Sequence, residues 1–141
     1  MTSITLAHAN TIIASAIAKS TEAGYRPMGI VVLDDAGHIT AFARQDGASM
    51  FRFDVARAKA WAAVGMGASS RVLMQRAKEN PNFFVSLAAT ADGKFLPQTG
   101  AVLIKNAMGE VIGAVGASGG TGDEDEAICI AGVEAAGLMP G

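Results

Sequence analysis

The residues able to hold a metal or move a proton are few. His8 and His38 are the two histidines, Cys129 the one cysteine and Tyr25 the one tyrosine, alongside seven methionines. Neither histidine has a partner at His-x-x-x-His spacing, and a single cysteine excludes an internal disulfide and a Cys-x-x-Cys site. No structural zinc site is therefore expected. The chain also lacks a Gly-x-Ser-x-Gly elbow, a phosphate loop, a His-Glu-x-x-His pair and a dinucleotide fingerprint. Its glycines at 113, 116, 119 and 120 do not follow the strand-loop-helix spacing that the last of these requires.

What remains is a set of polar groups at the ends of elements. Arg44, Gln45 and Asp46 leave an apolar run, where a loop arginine can meet a carboxylate in bidentate fashion or bond within its own turn. Lys59 is one cation in an alanine-rich stretch, open to pairing with an anionic ligand or to snorkelling at the surface. Gly119, Gly120, Thr121 and Gly122 precede Asp123, Glu124, Asp125 and Glu126. Free N–H groups ahead of a helix bind anions, but four acids there argue against phosphate. Asp123 and Glu124 complement the helix dipole, leaving Asp125 and Glu126 as general base, cation ligand or oligomer contact. Consecutive helical residues point about 100° apart, so one acid of that pair faces any given pocket.

Periodicity supplies the elements that position these groups. Leu6, Ala9, Ile13, Ala16 and Ile17 predict an amphipathic helix from Thr5 to about Glu22, stopped at Gly24. His8 lies on that helix, with Thr11, Ile12 and Ser15 as face neighbours. It reads as a ligand on a partly apolar wall or as a solvent-facing or capping residue. Met28 to Leu33 and His38 to Ala43 predict a hairpin through Asp34-Asp35-Ala36-Gly37, which makes His38 a turn residue. Ser49 to about Gly67 predicts a second helix, with Phe51, Val55, Ala58 and Ala62 inward and Arg52, Asp54 and Lys59 on other faces. A third helix begins at Ser69 or Ser70 and ends at Asn80-Pro81. Residues 82 to 91 read as loop or a short helix. A second hairpin spans 101 to 115, and Thr121-Gly122-Asp123-Glu124 has capping-box form ahead of a last helix with Ile128, Ala131, Ala135 and Leu138 inward. Cys129 on that helix reads as a small buried hydrophobe. The order α-β-β-α-α-β-β-α predicts an α+β fold, an antiparallel sheet of two hairpins flanked by helices.

Composition bounds the class. At 141 residues the chain is read as a single domain, 1–141. Half of the residues are hydrophobic and 17% are charged, so covering the surface with charge is difficult and homo-oligomerisation, as a dimer or higher assembly, is expected. A net charge of −2 without a Lys/Arg cluster gives no expectation of nucleic acid as a partner. No apolar run reaches the roughly 18 residues of a membrane span. The start, Met1-Thr2-Ser3-Ile4-Thr5-Leu6, lacks the pattern of a signal peptide, so a cytoplasmic location is expected.

Several strings together resemble one family. Leu6-Ala7-His8-Ala9, Val32 to His38, Ala43-Arg44-Gln45-Asp46-Gly47-Ala48 and Ala58-Lys59-Ala60 are followed by Val111-Ile112-Gly113-Ala114-Val115-Gly116-Ala117-Ser118-Gly119-Gly120-Thr121-Gly122-Asp123-Glu124-Asp125-Glu126. Over nearly its whole length the chain is similar to the GlcG/HbpS-like family (DUF336), the haem-degrading or haem-binding domains. Where that family commonly has Gly-Gly-x-Pro, this chain reads Thr99-Gly100-Ala101-Val102, so strand entry and the nearby pocket are expected to differ.

The resemblance implies a profilin-like α/β sandwich, self-assembly and, in some members, haem binding. On that basis the expected function is small-ligand binding, with haem or another tetrapyrrole as the cofactor and a role in haem or iron handling. The pocket would be lined by helix 1 with His8 as axial ligand, by Arg44, Asp46, Gly47 and Phe51, and by Lys59, Gly120, Thr121 and Asp125. A second reading is an isomerase, tautomerase or lyase acting on a small carboxylated catabolite near a subunit interface. Its catalytic candidates are Arg44, Lys59 and Glu126. A third is an oligomeric accessory protein without chemistry.

Overall fold

A computed structural model describes residues 3–141. Its elements are α1 (Leu6–Ala23), β1 (Gly29–Asp34), β2 (Ile39–Arg44), α2 (Phe51–Met66), α3 (Ser70–Glu79), α4 (Pro81–Thr90), β3 (Ala101–Lys105), β4 (Val111–Ser118), α5 (Gly122–Ala135) and β5 (Met139–Pro140). The fold is α+β, with one antiparallel sheet ordered β2-β1-β4-β3-β5.

The hairpins form where turn chemistry dictates. Asp34 Oδ1 accepts from the backbone N–H groups of Ala36 and His38 at 2.9 Å each, and Asn106 Oδ1 accepts from Met108 and Glu110 at 3.0 Å. These side chains replace the backbone partners that a tight turn removes. β1 is covered on both faces, which is why Ile30-Val31-Val32-Leu33 reads as an unbroken apolar run instead of alternating. On one face Ile30 and Val32 pack with Ile12, Ala16, Ile128 and Val133 of α1 and α5. On the other, Val31 and Leu33 pack with Ala56, Ala60 and Ala63 of α2.

Three expectations change. Residues 81–90 form a full helix, because Pro81 both ends α3 and occupies the first turn of α4, where its missing N–H leaves no bond unmade. β5 is a fifth strand paired with β3. Phe51 is exposed, since it starts α2 beyond the sheet's end, whereas Lys59 is buried on the sheet-facing side with Ala56, Ala60 and Ala63. Met1 and Thr2, part of the start read for a signal peptide, lie outside the described residues. Among the described residues no helix is long and apolar enough to cross a membrane.

Candidate functional site

Arg44, Gly29 and Ser118 stand side by side on β2, β1 and β4. This row marks the end of the sheet where α1 delivers the chain to β1 and where β4 hands it to α5. Surface grooves gather there. One, of about 490 Å³, is lined by Thr21, Tyr25, Pro27, Arg44, Gln45 and Asp46. A second, of about 430 Å³, is lined by Gly24, Tyr25, Arg26, Gly120, Thr121 and Glu124. Both volumes fall within the usual range for small-molecule sites. Tyr25 is common to the two, half-buried and packed on the core beneath α1.

The walls are held by the loops' own bonds. Gln45 is fixed twice to Met28: its Oε1 accepts from the Met28 N–H and its own N–H donates to the Met28 carbonyl, both at 2.8 Å. Arg44 Nη1 donates to the Ala48 carbonyl, not to Asp46, which is exposed. Gly47 turns this loop at φ +84°. Among the described residues no carboxylate lies within salt-bridge distance of Arg26 or Arg44. Thr121 caps α5 in a capping box: its Oγ1 accepts from Glu124 N–H at 3.2 Å and its N–H donates to Glu124 Oε1 at 3.0 Å.

Beneath the second groove lies a polar cluster that spacing did not reveal. Lys59 Nζ donates to Asp125 Oδ2 at 3.0 Å and to the Ala117 carbonyl at 3.1 Å. Asp125 Oδ1 accepts from the Gly120 N–H at 2.9 Å. Seven residues before Lys59 on α2, Arg52 Nη1 donates to Ser118 Oγ at 2.7 Å. Burial pushes the Asp125 carboxyl above its ordinary value, against the opposing pull of Lys59, the Gly120 N–H and Arg52. Lys59 is thus neither a surface lysine nor open to a ligand. Gly100 makes room for it, since a Cβ there would stand 2.6 Å from Nζ.

The remaining candidates are dispersed. His8 is exposed near the start of α1, about 24 Å along the helix from Gly24 at roughly 1.5 Å per residue, so the structure does not bring it to the grooves. The sequence held a signal for this, because 24–28 join α1 to β1 and Gly29 pairs with Arg44, which places the Arg44 loop at the far end of α1. His38 is 79% exposed and sits 3.6 Å from Asp34 within its turn. Glu126 faces away from Asp125 and, with Asp123, binds Arg71 of α3 at the surface. These two acids hold the Arg71 guanidinium more firmly protonated than usual. Arg44, Lys59 and Glu126, the catalytic candidates, therefore do not converge within one chain.

Cys129 is fully buried, with its thiol 3.6 Å from the Gly100 carbonyl. Burial, with Asp125 nearby, pushes that thiol upward, and the thiolate is the reactive form. The native protein is expected to resist Ellman's reagent and to release one equivalent once unfolded. Rapid labelling of the native protein would show that the α5 core opens.

The family model described as "Haem degrading protein HbpS-like" matches residues 4–134. The chain belongs to the HbpS-like family. Among solved structures, this HbpS-like chain is similar to Klebsiella pneumoniae protein ORFY, described as DUF336, at 25% identity and TM-score 0.88 over 97% of this chain and 92% of that one. It is also similar to a Streptomyces reticuli HbpS double mutant, at 27% identity and TM-score 0.82 over 95% and 87%. A structure described as a PduOC:heme complex shares the fold at 22% identity and TM-score 0.84, over 94% of each chain. No curated protein matches the HbpS-like chain.

Proposed function

We propose that this chain binds haem, or another carboxylated tetrapyrrole, in the grooves that meet at Tyr25. The observation that carries the reading is the pairing of two arginines lacking carboxylate partners among the described residues with the chain's one tyrosine, on the rim of contiguous grooves. A guanidinium is the side chain suited to a propionate, and tyrosinate is an established haem ligand type. Family membership supports the same ligand class.

The groove fits the group at its edges. Arg26 and Arg44 would hold the propionates, Tyr25 would face the iron, and Pro27 would carry an edge of the macrocycle on an open wall. Bound haem supplies a redox-active iron. The protein's own part is to bind and orient it through these four residues. Asp46 opposes an anionic ligand and weakens it.

Haemin titration of wild type, Tyr25→Phe, His8→Ala and Arg26→Ala/Arg44→Ala tests the reading. A saturable 1:1 Soret change is expected in wild type and His8→Ala. In Tyr25→Phe the band should shift or vanish. In the double arginine variant affinity should fall at least tenfold, since a charged hydrogen bond is worth about 1.5–3 kcal/mol. A linear, non-saturating response in wild type overturns haem binding. Loss of the band in His8→Ala alone overturns the Tyr25 location.

A further inference from the structure

Two α2 side chains grip the turn between β4 and α5 from below. Arg52 holds Ser118 through its hydroxyl, and Lys59 holds the Ala117 carbonyl and, through Asp125, the Gly120 N–H. Residues 117–120 are thus fixed at three points by groups on α2 and α5. Gly120 and Thr121 line that groove. The turn has no regular secondary-structure bonds of its own after Ser118; side chains of α5 hold it, Asp125 at the Gly120 N–H and Glu124 at the Thr121 N–H.

A buried ion pair is a poor route to stability, because desolvating both charges cancels most of their attraction and apolar replacement is often neutral or better. Lys59 is 5% and Asp125 2% exposed. A pair kept at such a depth, with one carboxylate oxygen spent on a loop amide, calls for a role other than fold energy.

We propose that Lys59 and Asp125 are positioning residues for the ligand groove: the carboxylate sets the Gly119–Gly120–Thr121 wall through the Gly120 N–H, and Lys59 holds that carboxylate in place from α2. The inference rests on the Tyr25 groove being the binding site. It predicts that fold stability and groove geometry separate on substitution. Lys59→Met/Asp125→Leu removes both charges and leaves the Gly120 N–H without an acceptor. Lys59→Met/Asp125→Asn removes the charges but keeps an acceptor oxygen.

The test combines amide exchange at Gly120 with haemin titration. In wild type the Gly120 amide should exchange only through global unfolding, and rapid exchange there overturns the proposal without any variant. Lys59→Met/Asp125→Leu should keep its cooperative melt but expose the Gly120 amide and weaken haemin at least tenfold. Lys59→Met/Asp125→Asn should restore both within about threefold. Wild-type affinity and Gly120 protection in the Leu variant overturn the positioning role. If wild type binds no haemin, the ligand reading fails by itself, and the exchange pattern still decides whether Asp125 sets the turn.

Discussion

Lys59→Met alone will destabilise the protein by about 3–5 kcal/mol, because it strands the Asp125 carboxylate in the interior with its cation gone. Lys59 Nζ is the single side-chain donor to Asp125 Oδ2 among the described residues, and the other oxygen is engaged by Gly120. Burial already raises the Asp125 carboxyl, and removing Lys59 removes the largest opposing influence. The variant is therefore expected to hold a proton at Asp125 more readily than wild type does, or to unfold. Urea denaturation reads the loss directly. Replacing both partners, as Lys59→Met/Asp125→Asn, should recover most of that loss, because it strands no charge and keeps an acceptor for the Gly120 N–H. A single-variant loss below about 1 kcal/mol would mean that water reaches Lys59 in solution and that the buried pair does not persist.

Gly119→Ala is expected to be nearly as damaging. Gly119 has φ +151°, a conformation that side chains rarely adopt, and strain of that kind costs about 1–3 kcal/mol. An added Cβ would also stand 2.3 Å from the Pro27 carbonyl oxygen and 3.0 Å from Met28 Cα and Sδ. Two of these three neighbours are backbone, so relief requires the start of β1 to move, and overpacking adds about 1–3 kcal/mol. The melting temperature should fall by on the order of 10 °C. Because Pro27 lines one groove and Gly120 the other, ligand binding should fail even in protein that remains folded. An unchanged melt would show that the turn relaxes at no cost.

The parts of the fold that rest on local chemistry were legible. The turns at Asp34–Gly37 and Asn106–Gly109, the capping box at Thr121 and the apolar runs between them define four strands and four helices without tertiary information. Two kinds of feature were not. Pro81 carries opposite local meanings as a helix end and a helix start, and only the packing of Phe84 against Leu73 and Phe95 decides for α4. Lys59 meets Asp125 across 66 residues of chain, so no spacing rule joins them, and a lone lysine among alanines reads as a surface residue. Arg44, Asp46, Gly120 and Thr121 were found by their place at element ends and do line the grooves. Tyr25 was legible only as a possible metal ligand by residue type, and Arg26 not at all, because the short α1–β1 connection that carries them has no motif.

The sheet's two margins are unequal. Along β3 the Ser70 hydroxyl takes up the N–H and carbonyl of Ala101, and the N–H and carbonyl of Gly141 exchange bonds with Leu103. Pro140, opposite Ile104, has no N–H to offer outward. Among the described residues the outer side of β2 carries no such seal, since its neighbour in the sheet is β1 alone. Strand-to-strand association through an open edge is the route to fibres, and a fibre needs two open edges per molecule. With one such edge among the described residues, strand addition at β2 would close as a pair, while the short β5 with its Pro140 leaves the opposite margin a poor template for a further strand.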